Sequence, residues 1–141
     1  MKTPTPVAMS PTISHAKVLD HLDAISSPKP VIDLRLRLLH HHQIAFGPGK
    51  AQLLQAIAQT GSISQAAKQM GMSYRRAWQL VDTMNHCFVQ PLVETQTGGR
   101  QGGGTVVTEF GLQVLHLFNN TLEALHQQAS VYQQQFDELL R

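Results

Sequence analysis

The sequence predicts a mainly α-helical fold with a small β-sheet: a winged helix-turn-helix followed by a long C-terminal dimerisation helix. Three observations support this prediction. Residues 62–85 have the pattern of two short helices joined by a tight turn. Two β-like runs, 92–97 and 105–108, flank the glycine-rich segment 98–104 and predict a hairpin, or wing. Apolar residues at heptad spacing then continue almost to the end of the chain.

Length and composition narrow the class of protein. The 141 residues provide one compact domain plus an extension, and 42% apolar residues are sufficient for a core. The single cysteine, Cys87, excludes an intramolecular disulfide and is typical of a reducing compartment. No apolar run approaches the roughly 20 residues of a membrane helix, and the N-terminus lacks a secretory signal. We therefore expect a cytoplasmic protein that does not bind membranes.

Positive charge is concentrated between Leu34 and Val81. This window contains no Asp or Glu, whereas the whole chain has a net charge of only +2. Its basic residues are Arg35, Arg37, Lys50, Lys68, Arg75 and Arg76. A basic surface of one sign beside a groove-sized helix indicates a protein that binds nucleic acid.

The chain divides into three predicted parts. Residues 1–30 are expected to be a flexible N-terminal arm, in which residues 14–25 could form a short helix. Residues 31–108 form the winged helix-turn-helix, and residues 109–141 form the dimerisation helix. Strict alternation over residues 32–38 predicts a half-buried strand that could pair with the wing.

Capping and turn residues define the helices between that strand and the wing. Pro48 is expected to start the first helix and Gly61 to end it. Ser62 or Ser64 caps the next helix, and the turn falls at Gly71. Ser73 then caps the recognition helix. Its predicted buried stripe is Ala77, Leu80, Val81, Met84 and Phe88.

The C-terminal helix carries the predicted dimer interface. Thr108 is expected to cap it, and its apolar residues follow alternating steps of three and four. The interface residues are Leu115, Phe118, Leu122, Leu125, Ala129, Tyr132 and Phe136. A helix of roughly 45 Å, at 1.5 Å per residue, is longer than one small domain can cover, so a second copy is predicted to cover it.

Residues 61–85 (GSISQAAKQMGMSYRRAWQLVDTMN), 91–93 (PLV) and 97–111 (TGGRQGGGTVVTEFG) carry a family resemblance. Over about residues 32–130 the chain resembles the DNA-binding domain of ModE-type molybdate-responsive regulators, and more distantly the LysR-type winged helices. The resemblance implies a homodimeric transcription factor without a cofactor, with an N-terminal strand joining the wing. Members of that family carry C-terminal oxyanion-binding modules after the DNA-binding domain, whereas this sequence stops at Arg141 within the dimerisation helix. We therefore expect a regulator that lacks these modules and does not sense molybdate through them. The sequence leaves open whether a separate protein supplies oxyanion binding.

The residues predicted to contact double-stranded DNA are Ser64, Gln65, Lys68, Ser73, Tyr74, Arg75, Arg76, Gln79 and Arg100. The two adjacent arginines follow a helix cap, where they could reach base edges or phosphates; a bidentate Arg–guanine contact discriminates by about 1–3 kcal/mol. Two solvated surface arginines are the alternative. Arg100 lies at the predicted wing tip, where it could reach phosphate or the minor groove. Trp78 could close the core or flank the DNA, and the core is favoured.

Other functions have weaker support in the sequence. Only two side chains of His40–His42 could share one face of a strand, too few for a closed zinc site, so a strand end or turn is the preferred explanation. The glycine-rich segment lacks the ending of a P-loop. No nucleophile is paired with a base, which argues against an enzyme. The competing hypothesis is a protein-interaction or small-anion-sensing module that uses the helical seam for a partner.

Overall fold

The computed structural model describes residues 31–96 and 104–141. The elements in chain order are strands β1 (Leu38–His40) and β2 (Gln43–Phe46), helices α1 (Pro48–Thr60), α2 (Ile63–Gln69) and α3 (Tyr74–Cys87), strands β3 (Val93–Thr95) and β4 (Thr105–Val107), and helix α4 (Glu109–Asp137). This mainly helical fold, with two small sheets and a long last helix, confirms the predicted fold class. The expected N-terminal arm, its short helix and Arg100 lie outside the described residues.

Local signals set the boundaries of the first two helices. Pro48 occupies the first turn of α1, and Gly61 ends that helix in the left-handed region at φ 67°. Ser62, rather than Ser64, caps α2, because its hydroxyl accepts a 3.1 Å hydrogen bond from the Gln65 N–H. The end of α1 and the start of α2 are therefore set by Gly61 and Ser62, which are adjacent in the chain.

Two further caps start the recognition helix and the long helix. Gly71 makes the turn after α2 at φ 65°, a conformation that glycine adopts without a steric penalty. The Ser73 hydroxyl accepts a 3.0 Å hydrogen bond from the Arg76 N–H at the start of α3. The Thr108 hydroxyl likewise accepts one of 2.9 Å from the Gly111 N–H. All three predicted roles are confirmed.

One hydrophobic core joins α1, α2, α3, the base of the wing and the first half of α4. The Phe46 ring stands edge-on to the Phe118 ring at a centroid distance of 5.1 Å, an arrangement that aromatic pairs favour. The largest fully buried side chains are Phe46, Leu53, Leu54, Ile57, Val81, Met84 and Leu92. Leu80 and Phe88, of the stripe predicted for α3, are only partly buried at the edge of this core.

The strand predicted for residues 32–38 is wrong in its extent and in its partner. Residues 31–37 form no strand, and β1 pairs antiparallel with β2 instead of with the wing. The alternation is nevertheless real, because Leu34 and Leu36 pack partly buried against the core. The Ile32 N–H donates a 2.9 Å hydrogen bond to Oε1 of Gln133, so this segment contacts the far end of α4. Alternating apolar residues indicate that one side of a segment is buried. An extended segment that packs against a helix shows the same alternation as a strand in a sheet does.

The predicted wing is present as a hairpin of shorter strands. Val93 of β3 lies opposite Val107 of β4 in an antiparallel pair, and the connecting residues 97–103 are outside the described part of the chain. The Thr105 N–H donates a 2.9 Å hydrogen bond to the Gly61 carbonyl. That bond fixes the second wing strand to the end of α1.

Leu92, which is fully buried, joins three parts of the fold. Oδ1 of Asn85 accepts hydrogen bonds from the Leu92 and Val93 N–H groups at 2.9 and 3.2 Å. The Leu92 carbonyl accepts a 2.9 Å bond from the Thr108 N–H. Gly111 packs so closely on the same carbonyl oxygen that a Cβ at that position would overlap it. Recognition helix, wing and long helix therefore meet at one peptide.

The predicted dimer seam divides into two parts. Leu115, Phe118 and Leu122 are only 5–6% exposed, because α4 packs there against α1 of its own chain. The chain's own core already covers these three side chains, so they leave little surface for a second copy. Further along α4, Leu125, Tyr132 and Phe136 are 42%, 55% and 52% exposed, and Ala129 is half-buried. Only this second part offers surface to a partner.

Changing Gly111 to Ala should lower the free energy of unfolding by about 1–3 kcal/mol, as overpacking does. The clash with the Leu92 carbonyl outweighs the roughly 1 kcal/mol by which alanine is preferred in helices. Gly49→Ala in α1 is the matched control, since a Cβ there has no neighbour within 4 Å. Thermal unfolding followed by circular dichroism measures both variants. A midpoint for Gly111→Ala at or above that of the wild type would contradict the packing described for Leu92.

Candidate nucleic-acid interface

The first half of α3 presents polar and basic side chains to solvent. Ala77, Val81 and Met84 hold the opposite face in the core at 0–1% exposure. The exposed residues are Tyr74, Arg75, Arg76, Trp78 and Gln79. Arg75 and Gln79 are four residues apart and therefore lie on the same side of the helix. The predicted orientation of this helix is observed.

The predicted contact residues of α2 are also at the surface. Ser64, Gln65 and Lys68 are exposed, whereas Ala66 and Ala67 between them are buried. Because Ser62 is the cap, the Ser64 hydroxyl is not needed for that purpose. These three side chains and those of α3 thus form the exposed polar side of two adjacent, mutually packed helices.

A cleft of about 360 Å³ lies between the start of α2, the first two turns of α3 and the wing. Ser62 and Ser64 line one side of it, Tyr74 and Trp78 a second, and Thr105 of β4 a third. Among the described residues, its lining includes no acidic or basic side chain. Of the predicted contact residues, the structure brings Ser64 and Tyr74 together on this cleft.

Trp78 is placed differently from the prediction that favoured the core. Its side chain is 37% exposed, and its ring forms a wall of the cleft. The Tyr74 ring stands edge-on to it, with centroids 6.3 Å apart at 82°. Trp78 follows the buried Ala77, and one residue turns an α-helix by about 100°, which places the indole on the flank of α3. The spacing of Tyr74 and Trp78 (i, i+4) is the sequence signal for such a shared flank.

Carboxylates border the basic surface. Oδ2 of Asp33 lies 3.5 Å from Nε of Arg35, so part of the charge of the extended segment is compensated. Asp82 lies on the exposed side of α3, with Oδ1 3.3 Å from Nδ1 of His86. The cationic surface near the recognition helix is consequently formed by Lys68, Arg75 and Arg76.

The comparison with known proteins bears on this arrangement directly. The family model for bacterial regulatory helix-turn-helix proteins of the lysR family matches residues 49–112, which extend from α1 through α3 and the wing to the start of α4. Residues 49–112 therefore resemble a LysR-type helix-turn-helix domain. That model describes regulatory proteins, which agrees with the regulator expected from the sequence.

The chain is similar to several curated relatives. The molybdenum transport protein ModE of Azotobacter vinelandii is 42% identical over 85 residues, which is 60% of this chain and 31% of that protein. The molybdenum-pterin-binding protein MopA of Rhodobacter capsulatus is 51% identical over 65 residues, 46% of this chain and 24% of the relative. The DNA-binding transcriptional dual regulator ModE of Escherichia coli K12 is 39% identical over 87 residues, 62% of this chain and 33% of the relative. The chain thus spans a third or less of the length of these relatives, and the resemblance to ModE is confirmed for that part.

Lys50 belongs to the LysR-type domain but not to its surface. The residue is 8% exposed, and its Nζ donates a 2.8 Å hydrogen bond to the Ile44 carbonyl. Burial lowers the pKa of Lys50; the thiol of Cys87 opposes this, and the positive charge of Arg76 adds to it. Among the basic residues of the window, Lys50 therefore holds β2 against α1 from the inside.

The histidine triplet forms a turn, as the sequence suggested. His41 and His42 connect β1 to β2 with positive φ values of 49° and 62°. Within residues 31–96 and 104–141, no group of three His, Cys, Asp or Glu side chains is arranged to hold a metal ion. No helix in the same ranges is both long and apolar enough to cross a bilayer.

Replacing Lys50 with methionine should change how stability depends on alkaline pH. The folded-state pKa of Lys50 lies below its ordinary 10.5, so the folded protein releases this proton before the unfolded chain does. Lys50 therefore makes the free energy of unfolding rise as pH increases between these two pKa values. Urea unfolding from neutral pH to about 10.5 should show the wild-type value rising relative to that of Lys50→Met. A difference that stays constant or falls across this range would contradict the depressed pKa.

Proposed function

We propose that the chain is a sequence-specific DNA-binding transcriptional regulator that acts as a homodimer. The observation that carries the proposal is the exposed first half of α3, with Arg75, Arg76 and Gln79, in a LysR-type helix-turn-helix domain. An α-helix about 10–12 Å wide fits the major groove of DNA, which is about 12 Å wide. The N-terminal residues of such a recognition helix reach the base edges.

The side chains of α3 and α2 have different roles in this proposal. Arg75 and Gln79 share the outer face of α3, and they would read guanine and adenine edges, for which their geometry is suited. Arg76, which is also exposed at the start of α3, would contact a phosphate of the DNA backbone. Lys68 and Ser64 of α2 would hold the backbone beside it. Arg100 remains a predicted contact of the wing.

The second part of the α4 seam supports the homodimer. Leu125, Ala129, Tyr132 and Phe136 keep the heptad spacing beyond the chain's own core, and three of them are 42–55% exposed. Exposed apolar residues at this spacing on a long helix favour a partner helix. A two-fold dimer would place two recognition helices on DNA half-sites about one helical turn apart, or a multiple of it.

The relatives suggest which genes such a regulator would control. Two of them carry names that refer to molybdenum, and a third is named a DNA-binding transcriptional dual regulator. We therefore propose molybdenum uptake genes as targets, and the regions upstream of such genes in the host are the DNA to test first.

Changing Arg75 and Arg76 together to Ala should weaken binding to a duplex from these regions by about tenfold or more. It should also reduce the dependence of log affinity on log salt by about two units, because each protomer of the homodimer loses the phosphate contact of Arg76 and fewer counterions are released. Arg35→Ala with Arg37→Ala is the matched control, since it removes the same charge from the exposed segment before β1. Fluorescence anisotropy of a labelled duplex measures both variants. Equal losses in the two would refute the docking through α3.

Changing Leu125 and Phe136 together to Lys should convert a dimer into monomers with an intact fold. Both side chains are half-exposed, so the substitution places charge in the interface without opening the core. Leu117→Lys with Val131→Lys is the control, because these residues are 68% and 65% exposed but do not follow the heptad spacing. Light scattering after gel filtration gives the mass. A seam variant that remains dimeric, or a monomeric wild type, would exclude the proposed interface.

A further inference from the structure

The cleft beside α3 has two kinds of wall. Tyr74 and Trp78 provide an aromatic wall, and Trp78 keeps 37% of its surface exposed there. Three residues that carry hydroxyl groups, Ser62, Ser64 and Thr105, line the other sides. A ligand that fits must offer an apolar face to the indole and hydrogen-bond acceptors to the hydroxyls.

The sugar–phosphate backbone of DNA offers both an apolar face and hydrogen-bond acceptors, in alternation along the strand. Each deoxyribose presents C–H groups, and each phosphate presents oxygens that serine and threonine hydroxyls commonly bind. None of the described residues that line the cleft is acidic, so none of them would repel a phosphate. Tyr74, which lines the cleft, directly precedes Arg75 at the exposed start of α3. An extended strand can therefore pass from the cleft to the recognition helix.

The cleft is held in shape by the fold around it. The Thr105 N–H donates a 2.9 Å hydrogen bond to the Gly61 carbonyl, and the Gln96 N–H donates one of 2.8 Å to the Gly104 carbonyl. These bonds join the wing strands to each other and to the end of α1, on which α2 also packs. A site held in this way has little ordering cost on binding.

We propose that this cleft receives the backbone of one DNA strand, with Trp78 packed on a deoxyribose and the surrounding hydroxyls on its phosphates. The inference rests on the proposed function and adds Trp78 to the DNA-contacting residues. Because sugar and phosphate are the same at every position, this contact is independent of sequence. It strengthens binding to any duplex and positions α3 for reading bases.

The chain's one tryptophan makes the contact directly measurable. Acrylamide quenching of Trp78 emission is recorded with and without a mixed-sequence duplex of about two helical turns at low salt. Anisotropy of the same duplex carrying a dye reports binding independently of the tryptophan. The quenching constant should fall by about half as the exposed part of the indole is covered.

Two variants distinguish a direct contact between Trp78 and DNA from an indirect effect on binding. Trp78→Ala should weaken binding to mixed-sequence and target duplexes by about tenfold alike, as truncation of an interface aromatic does. Trp78→Phe should bind nearly as well as the wild type, because a ring remains to pack on the sugar. Unchanged quenching on a bound duplex, or an alanine variant with full affinity, would overturn the inference and leave the proposed function standing. Failure of the wild type to bind any duplex would instead refute the proposed function.

Discussion

The position of the recognition helix depends on the backbone of Leu92. The Leu92 N–H is held by Asn85 of α3, and its carbonyl is held by the Thr108 N–H and covered by Gly111 of α4. Through this peptide, the end of α3, the first wing strand and the start of the long helix have fixed relative positions. The cleft beside Trp78 and the direction in which α4 leaves the domain both follow from that geometry.

Much of the helical part could be predicted because its signals are local. Pro48, Gly61, Gly71, Ser73 and Thr108 each act within a few residues, through a backbone conformation or a cap that the structure shows. The pairing of residues 32–38 could not be predicted in the same way. Alternation states that one side is buried, but it does not state whether a strand or a helix buries it. β1 itself begins only at Leu38, the last residue of that run, and leads into the histidine turn.

Burial also explains why some residues of the predicted DNA-binding site and of the α4 seam are placed differently in the structure. A heptad pattern is the same whether its partner is the chain's own core or a second copy, so Leu115, Phe118 and Leu122 could not be told apart from Leu125 and Phe136. Lys50 was counted as surface charge because sequence does not show which lysine is covered. Trp78 lies one residue from the centre of the buried stripe, where a small rotation of the helix decides between core and cleft. In each of these cases, tertiary packing determines whether the side chain is buried or exposed.

If the chain binds DNA as proposed, the duplex contacts the first half of α3 and the adjoining cleft. Titration of ¹⁵N-labelled protein with a target duplex, followed by amide and indole resonances, tests this most directly. The largest shifts should fall in residues 62–68, 73–79 and 104–105, with little change in the β1–β2 hairpin or the last turns of α4. Shifts confined to the hairpin or to α4, with the Trp78 indole unaffected, would contradict it.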